Sequence, residues 1–135
     1  MHDMPLSPED RGTLLRTVVD RPPRDRLLAE LVFGHGLAIG DVLSIRVEET
    51  AWAPQHVKLA THGPRNARRT VTVEREPVDA ILGSRRRGPL FATASGVPIR
   101  ADYASRLLTR IADAAGVPTQ ISVRRLRPRR PVPGR

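Results

Sequence analysis

The residues of this sequence best suited to chemistry are arginines gathered in two short segments. The first segment holds Arg65, Arg68 and Arg69, and the second reads Arg124-Arg125-Leu126-Arg127. A guanidinium group stays protonated throughout the physiological pH range, and its planar fork of donors matches the oxygens of a phosphate. Both segments lie in the strongly basic second half of the sequence, whose charge suits a polyanion.

The four histidines do not suggest a metal site. His2, His35, His56 and His62 lack the spacing of metal ligands, and the sequence contains no cysteine. Structural zinc sites need clustered imidazole or thiolate ligands. We therefore expect neither a metal nor another cofactor, and the lack of cysteine agrees with a reducing compartment.

Positive charge is concentrated in the second half of the sequence. Residues 1–61 hold seven Lys or Arg against nine Asp or Glu, whereas residues 62–135 hold sixteen against five. The second half thus has a net charge of +11, which favours nucleic-acid binding because each neutralised phosphate releases condensed counterions. A GC-rich genome, which enriches Arg, Ala, Gly and Pro in any protein, is the alternative explanation.

The sequence predicts a single domain without membrane partners. Its 135 residues suit one modest core, which must be aliphatic because aromatic residues supply only 3%. No apolar run approaches the roughly 20 residues of a membrane helix. The first ten residues lack the basic-then-apolar pattern of a signal peptide. We therefore expect a cytoplasmic protein.

Capping signals and hydrophobic periodicity indicate the elements that position the arginines. Ser7-Pro8 predicts the start of a helix that stops before Pro22, and a second amphipathic helix follows from Pro23. A short third helix is expected around Ile39 to Leu43. Two β-compatible runs, 56–60 and 69–73, predict a hairpin whose turn spans residues 61–66.

Two further helices complete the expected order. A short one spans Pro77 to Leu82, and the triplet Arg85-Arg86-Arg87 after it is expected to be solvated. A longer helix is expected to begin at Asp102 as its N-cap. Its packed face is predicted to carry Tyr103, Leu107, Ile111 and Ala114. The predicted fold class is mainly α with a small antiparallel β-hairpin, an α+β arrangement.

This order of elements resembles the catalytic domain of tyrosine recombinases, the phage-integrase family. Local sequence carries the resemblance at seven places in the right order. They are Leu6-Ser7-Pro8-Glu9-Asp10, Arg24-Asp25-Arg26-Leu27-Leu28, Gly36-Leu37-Ala38-Ile39-Gly40-Asp41-Val42-Leu43-Ser44-Ile45, Arg69-Thr70-Val71, Gly88-Pro89-Leu90-Phe91, Ala114-Ala115-Gly116-Val117 and Ile121-Ser122-Val123-Arg124-Arg125-Leu126-Arg127. The resemblance implies an incomplete recombinase catalytic domain over residues 1–127, followed by a disordered Arg/Pro-rich tail over 128–135.

The resemblance also implies which residues would carry the chemistry. In that family a tyrosine attacks a DNA phosphodiester to form a 3′-phosphotyrosine, two arginines hold the phosphate oxygens, and a lysine and a histidine move protons. The first-box arginine falls on Ala38, and the second-box arginine is retained as Arg127. The second-box histidine falls on Arg124, which is a poor base. His62 is the nearest stand-in for the hairpin lysine, whereas Lys58 is expected to lie too early on the strand.

We therefore expect a recombinase-like DNA-binding protein that does not cut DNA. The nucleophile is expected a few dozen residues after Arg127, but the sequence ends eight residues after it, and Tyr103 is expected to be packed. Arg65, Arg68, Arg69, Arg124, Arg125 and Arg127 are the expected DNA contacts. Two alternatives stay open: a small regulatory module, and a partner that completes the active site of an intact recombinase. Self-association is a further possibility.

Overall fold

The computed structural model describes residues 7–63, 68–93 and 95–117, which form helices packed beside a small antiparallel sheet. The helices are α1 (Pro8–Thr17), α2 (Pro23–Ala29), α3 (Ile39–Leu43), α4 (Arg75–Leu82) and α5 (Ala101–Ala115). The strands are β1 (Ala51–Trp52), β2 (His56–His62) and β3 (Arg68–Glu74), in the order β1-β2-β3. The predicted α+β class is confirmed.

The first two helices begin where their capping residues predict. The Ser7 hydroxyl accepts a hydrogen bond from the Asp10 backbone N–H at 3.0 Å, which satisfies one of the free donors of the first turn. Helix α2 continues into a π-helical turn, Glu30–Gly34, in which the N–H of His35 donates to the carbonyl of Glu30. Gly36 then ends the segment with a φ of 72°, a conformation that favours glycine.

One aliphatic core joins the helices to the inner face of the sheet. Its fully buried members include Leu14, Leu28, Leu31, Leu37, Ile45, Leu59, Leu90, Leu108 and Ile111. Phe91 is the largest side chain buried to this degree in the described residues. Since α5 packs against both α1 and α3, the core holds the start of α3 in a fixed position relative to the other helices.

Helix α5 differs from the prediction at its start and on its packed face. Its N-cap is Arg100 rather than Asp102, which lies in the first turn and accepts a hydrogen bond from the N–H of Tyr103 at 2.9 Å. Its buried residues are Ala104, Leu107, Leu108, Ile111 and Ala112. Ala114 is exposed because the buried stripe turns towards Leu108 and Ala112 at the end of the helix.

The sheet is longer than the predicted hairpin. Thr61 and His62 pair with Arg69 and Arg68, so they belong to β2 and not to the turn. The two-residue strand β1 was not predicted, because a segment this short carries no periodicity. Helix α4 begins at Arg75, two residues before the predicted start.

Arg85 is not part of a solvated charge run. Its guanidinium group donates to the carbonyl oxygens of Pro89 at 2.7 Å and Leu90 at 3.1 Å, and it is partly buried. Arg86 and Arg87 are exposed, as predicted. The prediction failed for Arg85 because Gly88 turns the chain back, which brings two carbonyl groups within reach of this side chain.

Candidate nucleic-acid interface

Two of the predicted DNA-contacting arginines lie at the start of β3. Arg68 and Arg69 are both exposed, and among the described residues no carboxylate lies within 4.0 Å of either guanidinium group. Successive side chains of a strand point to opposite faces of the sheet. The two arginines therefore present donors on both sides of the hairpin, although they cannot follow one row of phosphates together. Arg65 lies outside the described residues.

His62, at the end of β2, is engaged by its neighbours. Its Nε2 atom lies 2.6 Å from Oε1 of Glu49, and its backbone N–H donates to the Ser44 hydroxyl at 2.9 Å. The second contact attaches the end of β2 to the end of α3. The His62 side chain remains 40% exposed.

The first-box position contains no group that could hold a phosphate. Ala38 is the N-cap residue of α3 and is only 6% exposed. Its neighbour Leu37 is fully buried, and Ile39 is 3% exposed. A methyl group offers neither charge nor hydrogen bond, so the side chain at this position contributes nothing to the binding of an anion.

Lys58 lies in the middle of β2, as the sequence predicts. It is exposed and pairs with Thr72 of β3 and Ala51 of β1. His62, the last residue of the strand, lies on the same face of the sheet. Lys58 therefore lies on the flat of the sheet and not at the hairpin tip.

Tyr103 is the single tyrosine of the sequence, and its side chain contacts Arg24. The Arg24 guanidinium donates to the tyrosine hydroxyl at 3.1 Å, and its central carbon lies 5.6 Å from the ring centroid. Tyr103 is half-buried and packs against the core, as predicted. The role of Arg24 was missed because the two residues are 79 positions apart.

Carboxylates of this part of the chain have pKa values set by local contacts. Hydrogen bonds from Arg46 and from backbone N–H groups, including that of Gly88, lower the pKa of Glu48 to about 2. Burial raises the pKa of Glu30, and the nearby carboxylate of Glu74 raises it further. Glu48 thereby stays ionised and ties the segment after α3 to the loop after α4.

A groove that the sequence did not indicate lies beside β1. It encloses about 650 Å³, and its lining includes Trp52, Arg75, Leu82 and Arg86. Trp52 is 41% exposed, and the Arg75 guanidinium lies 5.1 Å from its ring centroid. The lone tryptophan of the sequence, two residues before Pro54, was the available signal, but the surroundings of Trp52 could not be inferred without the register of β1.

The remaining predicted site residues cannot be placed. Arg124, Arg125 and Arg127 lie outside the described residues, as does the predicted tail 128–135. Within the described ranges no cluster of three or more histidine and acidic side chains could hold a metal ion. The helices of those ranges are all too short or too polar to cross a membrane.

Sequence comparison gives no relatives, whereas structural comparison does. No family model matches the sequence, and no curated protein matches it either. The fold is similar to XerH site-specific recombinase bound to palindromic difH substrate, with a TM-score of 0.71 and 15% identity over 93% of this chain. XerA recombinase gives a TM-score of 0.66 and 13% identity, again over 93% of this chain.

The catalytic core of lambda integrase is similar over a larger share of its own length. Its TM-score is 0.56 and its identity 16%, over 84% of this chain and 70% of that one. This chain spans only 40% of the XerH chain and 48% of the XerA chain. The similarity therefore covers part of each recombinase. The described residues have a tyrosine recombinase-like fold, the architecture that the ordered boxes of the sequence predict.

Proposed function

We propose that this protein binds duplex DNA through its basic second half and does not cleave it. The proposal is supported by the recombinase-like fold, whose solved neighbours include recombinases bound to DNA. It is supported further by the exposed arginines of β3, which have no carboxylate close by in the described residues. The DNA contacts proposed from the sequence are Arg65, Arg68, Arg69, Arg124, Arg125 and Arg127.

The observation that carries the lack of cleavage is the buried methyl group of Ala38. By the family resemblance this position would hold a guanidinium against the phosphate oxygens, where negative charge accumulates during cleavage. Losing one such donor typically costs about a hundredfold or more in rate. Tyr103 is not expected to supply the nucleophile, because its ring packs against the core and Arg24 donates a hydrogen bond to its hydroxyl.

Salt titration of DNA binding tests the first half of the proposal. We expect the purified chain to shift duplex DNA in a gel at low salt and to lose affinity steeply as salt rises. The logarithm of the binding constant should fall linearly with the logarithm of salt concentration, by about 0.9 per phosphate contacted. Salt-insensitive binding, or no binding at low salt, would contradict the proposal.

A covalent-adduct assay tests the second half. A duplex with a nicked strand traps a 3′-phosphotyrosine whenever one forms, because the freed fragment diffuses away. We expect no adduct on a denaturing gel, even under conditions in which the DNA is fully bound. A protein–DNA adduct that the Tyr103→Phe variant abolishes would overturn the proposal.

A second candidate function is that of a partner to an intact recombinase. It is favoured by His62, whose exposed ring lies at the end of β2, where by the family resemblance a proton donor would approach DNA. Mixed with an intact recombinase that supplies the tyrosine, the chain should then stimulate cleavage, and His62→Ala should remove that stimulation. Equal cleavage with and without the chain would exclude this function.

We propose the cytoplasm as the compartment, because the proposed ligand is duplex DNA. The regulatory alternative is a small DNA-binding module that acts by occupying a specific site. It differs from the proposed recombinase-like protein in sequence preference, which a competition experiment with unrelated duplexes would reveal. We expect unrelated duplexes to compete equally, since the proposed contacts are phosphate contacts that carry no sequence information.

A further inference from the structure

The outer edge of β3 is open in the described part of the chain. β3 pairs only with β2, and its residues make no further backbone hydrogen bonds to other described elements. An exposed edge offers a row of donors and acceptors on which another strand can pair. β3 is also a regular strand of seven residues without proline, so each of its residues keeps a backbone N–H donor.

The sequence of β3 complements itself when two copies run antiparallel. The register in which all seven residues find a partner places Val71 opposite Val71 of the second copy. That register sets Arg68 opposite Glu74 at both ends, Thr70 opposite Thr72, and Arg69 opposite Val73. Opposite charges and threonine pairs facing each other across strands stabilise a sheet.

The complementary side chains all lie on the solvent face. Arg68, Thr70, Thr72 and Glu74 alternate with the inward Val73 and the partly buried Val71, and all four are exposed. The pairing therefore needs no change in the core. Parallel pairing in register would place arginine against arginine and glutamate against glutamate, so the charges select the antiparallel arrangement.

We propose that β3 is a self-association edge, on which a second copy of this chain pairs antiparallel about Val71. The two three-stranded sheets then join into one continuous sheet with a two-fold axis at that residue. The inference rests on β3 alone and does not depend on DNA binding.

The association is weak, because the contact is a single pair of strands. Seven residues span about 23 Å, and one such pair buries less than the roughly 1,200–2,000 Å² of a standard interface. We therefore expect a dissociation constant between micromolar and millimolar. Sedimentation velocity of the full chain without DNA, over a concentration series reaching about 1 mM, covers this range.

Charge reversal tests the pairing. Glu74→Arg alone, or Arg68→Glu alone, turns both end pairs into like-charge contacts and should raise the dissociation constant about tenfold or more. The double variant Arg68→Glu/Glu74→Arg restores opposite charges and should return it to within about threefold of the original. Failure of the double variant to associate while it melts like the original chain would overturn the proposal.

Single-cysteine variants test the register, since the chain has no cysteine of its own. Val71→Cys places two thiols opposite each other, with Cα atoms about 4.5–5.5 Å apart, which a disulfide spans. Thr72→Cys is the matched control, because in this register its two copies lie about 8 Å apart, too far for a bond.

Mild oxidation should therefore link Val71→Cys and leave Thr72→Cys monomeric on a non-reducing gel. Cross-linking of Thr72→Cys in preference to Val71→Cys would refute the register. A chain that stays monomeric up to about 1 mM, with no cross-link in either variant, would refute the self-association edge itself.

Discussion

Replacing Arg85 with alanine should destabilise the protein far more than its place in an arginine triplet suggests. The guanidinium donates to the carbonyl oxygens of Pro89 and Leu90, and Leu90 is fully buried. The same segment is held by a backbone bond from Leu90 to Ile45. Removing the side chain leaves two partly buried carbonyl groups without this donor.

The magnitude follows from those two hydrogen bonds. Leaving a buried acceptor unsatisfied costs about 1–3 kcal/mol, and a bond to a charged donor lies in the upper part of that range. Because solvent reaches part of the side chain and can satisfy one carbonyl, we expect the free energy of unfolding to fall by about 2–3 kcal/mol. Arg85→Lys keeps the charge but not the fork, so it should lose about half as much.

Urea denaturation followed by circular dichroism measures this change, with Arg87→Ala as the matched control. Arg87 is exposed and has no ion pair within the described residues, so its loss should cost less than about 0.5 kcal/mol. Equal midpoints for Arg85→Ala and Arg87→Ala, at equal slopes, would refute the role given to Arg85. A changed slope would indicate instead a different unfolded state.

Three further predictions concern charge and backbone. Arg68→Ala/Arg69→Ala should weaken DNA binding and reduce its salt slope by about 2; an unchanged slope in gel shifts would contradict the contact. Glu48 has its pKa lowered to about 2, so its contribution to stability is complete above its usual pKa and is lost as pH falls towards 2. Glu48→Gln should therefore flatten the acid limb of a melting-temperature profile, and a parallel profile would refute this. Gly83→Ala, at a φ of 58° with open space around it, should cost about 1–3 kcal/mol through backbone strain alone. Gly40→Ala is its control and should not destabilise in the same urea titration.

Much of the fold could be predicted from local signals. The Ser7 cap and the leucine spacing of α2 can be recognised from a few neighbouring residues. In the structure Ser7 caps α1, and the leucines of α2 are buried. The hairpin was predicted from two β-compatible runs, but its length was not. Thr61 was assigned to the turn because of its neighbours, whereas pairing with Arg69 keeps it in the strand.

Contacts between distant residues could not be predicted. The Arg24–Tyr103 pair and the bond from Arg85 to Leu90 depend on how elements pack and where the chain turns back. Neither has a local pattern. The candidate site shows the same division. The strand position of Lys58 follows from periodicity, but the contact between His62 and Glu49 depends on how the segment after α3 packs against the sheet.

The residues that carry the family resemblance in the first box are mainly those that the fold needs. Leu37 is fully buried, Ile39 is 3% exposed, and Gly36 adopts the left-handed turn that ends the preceding helix. Ala38, the position at which the resemblance requires a phosphate donor, is the one that departs. A core residue is retained for packing whether or not a reaction takes place, whereas a donor matters only to the reaction. The first box is therefore evidence for the fold, whereas the proposed lack of cleavage rests on the one adjacent position that departs from the family pattern.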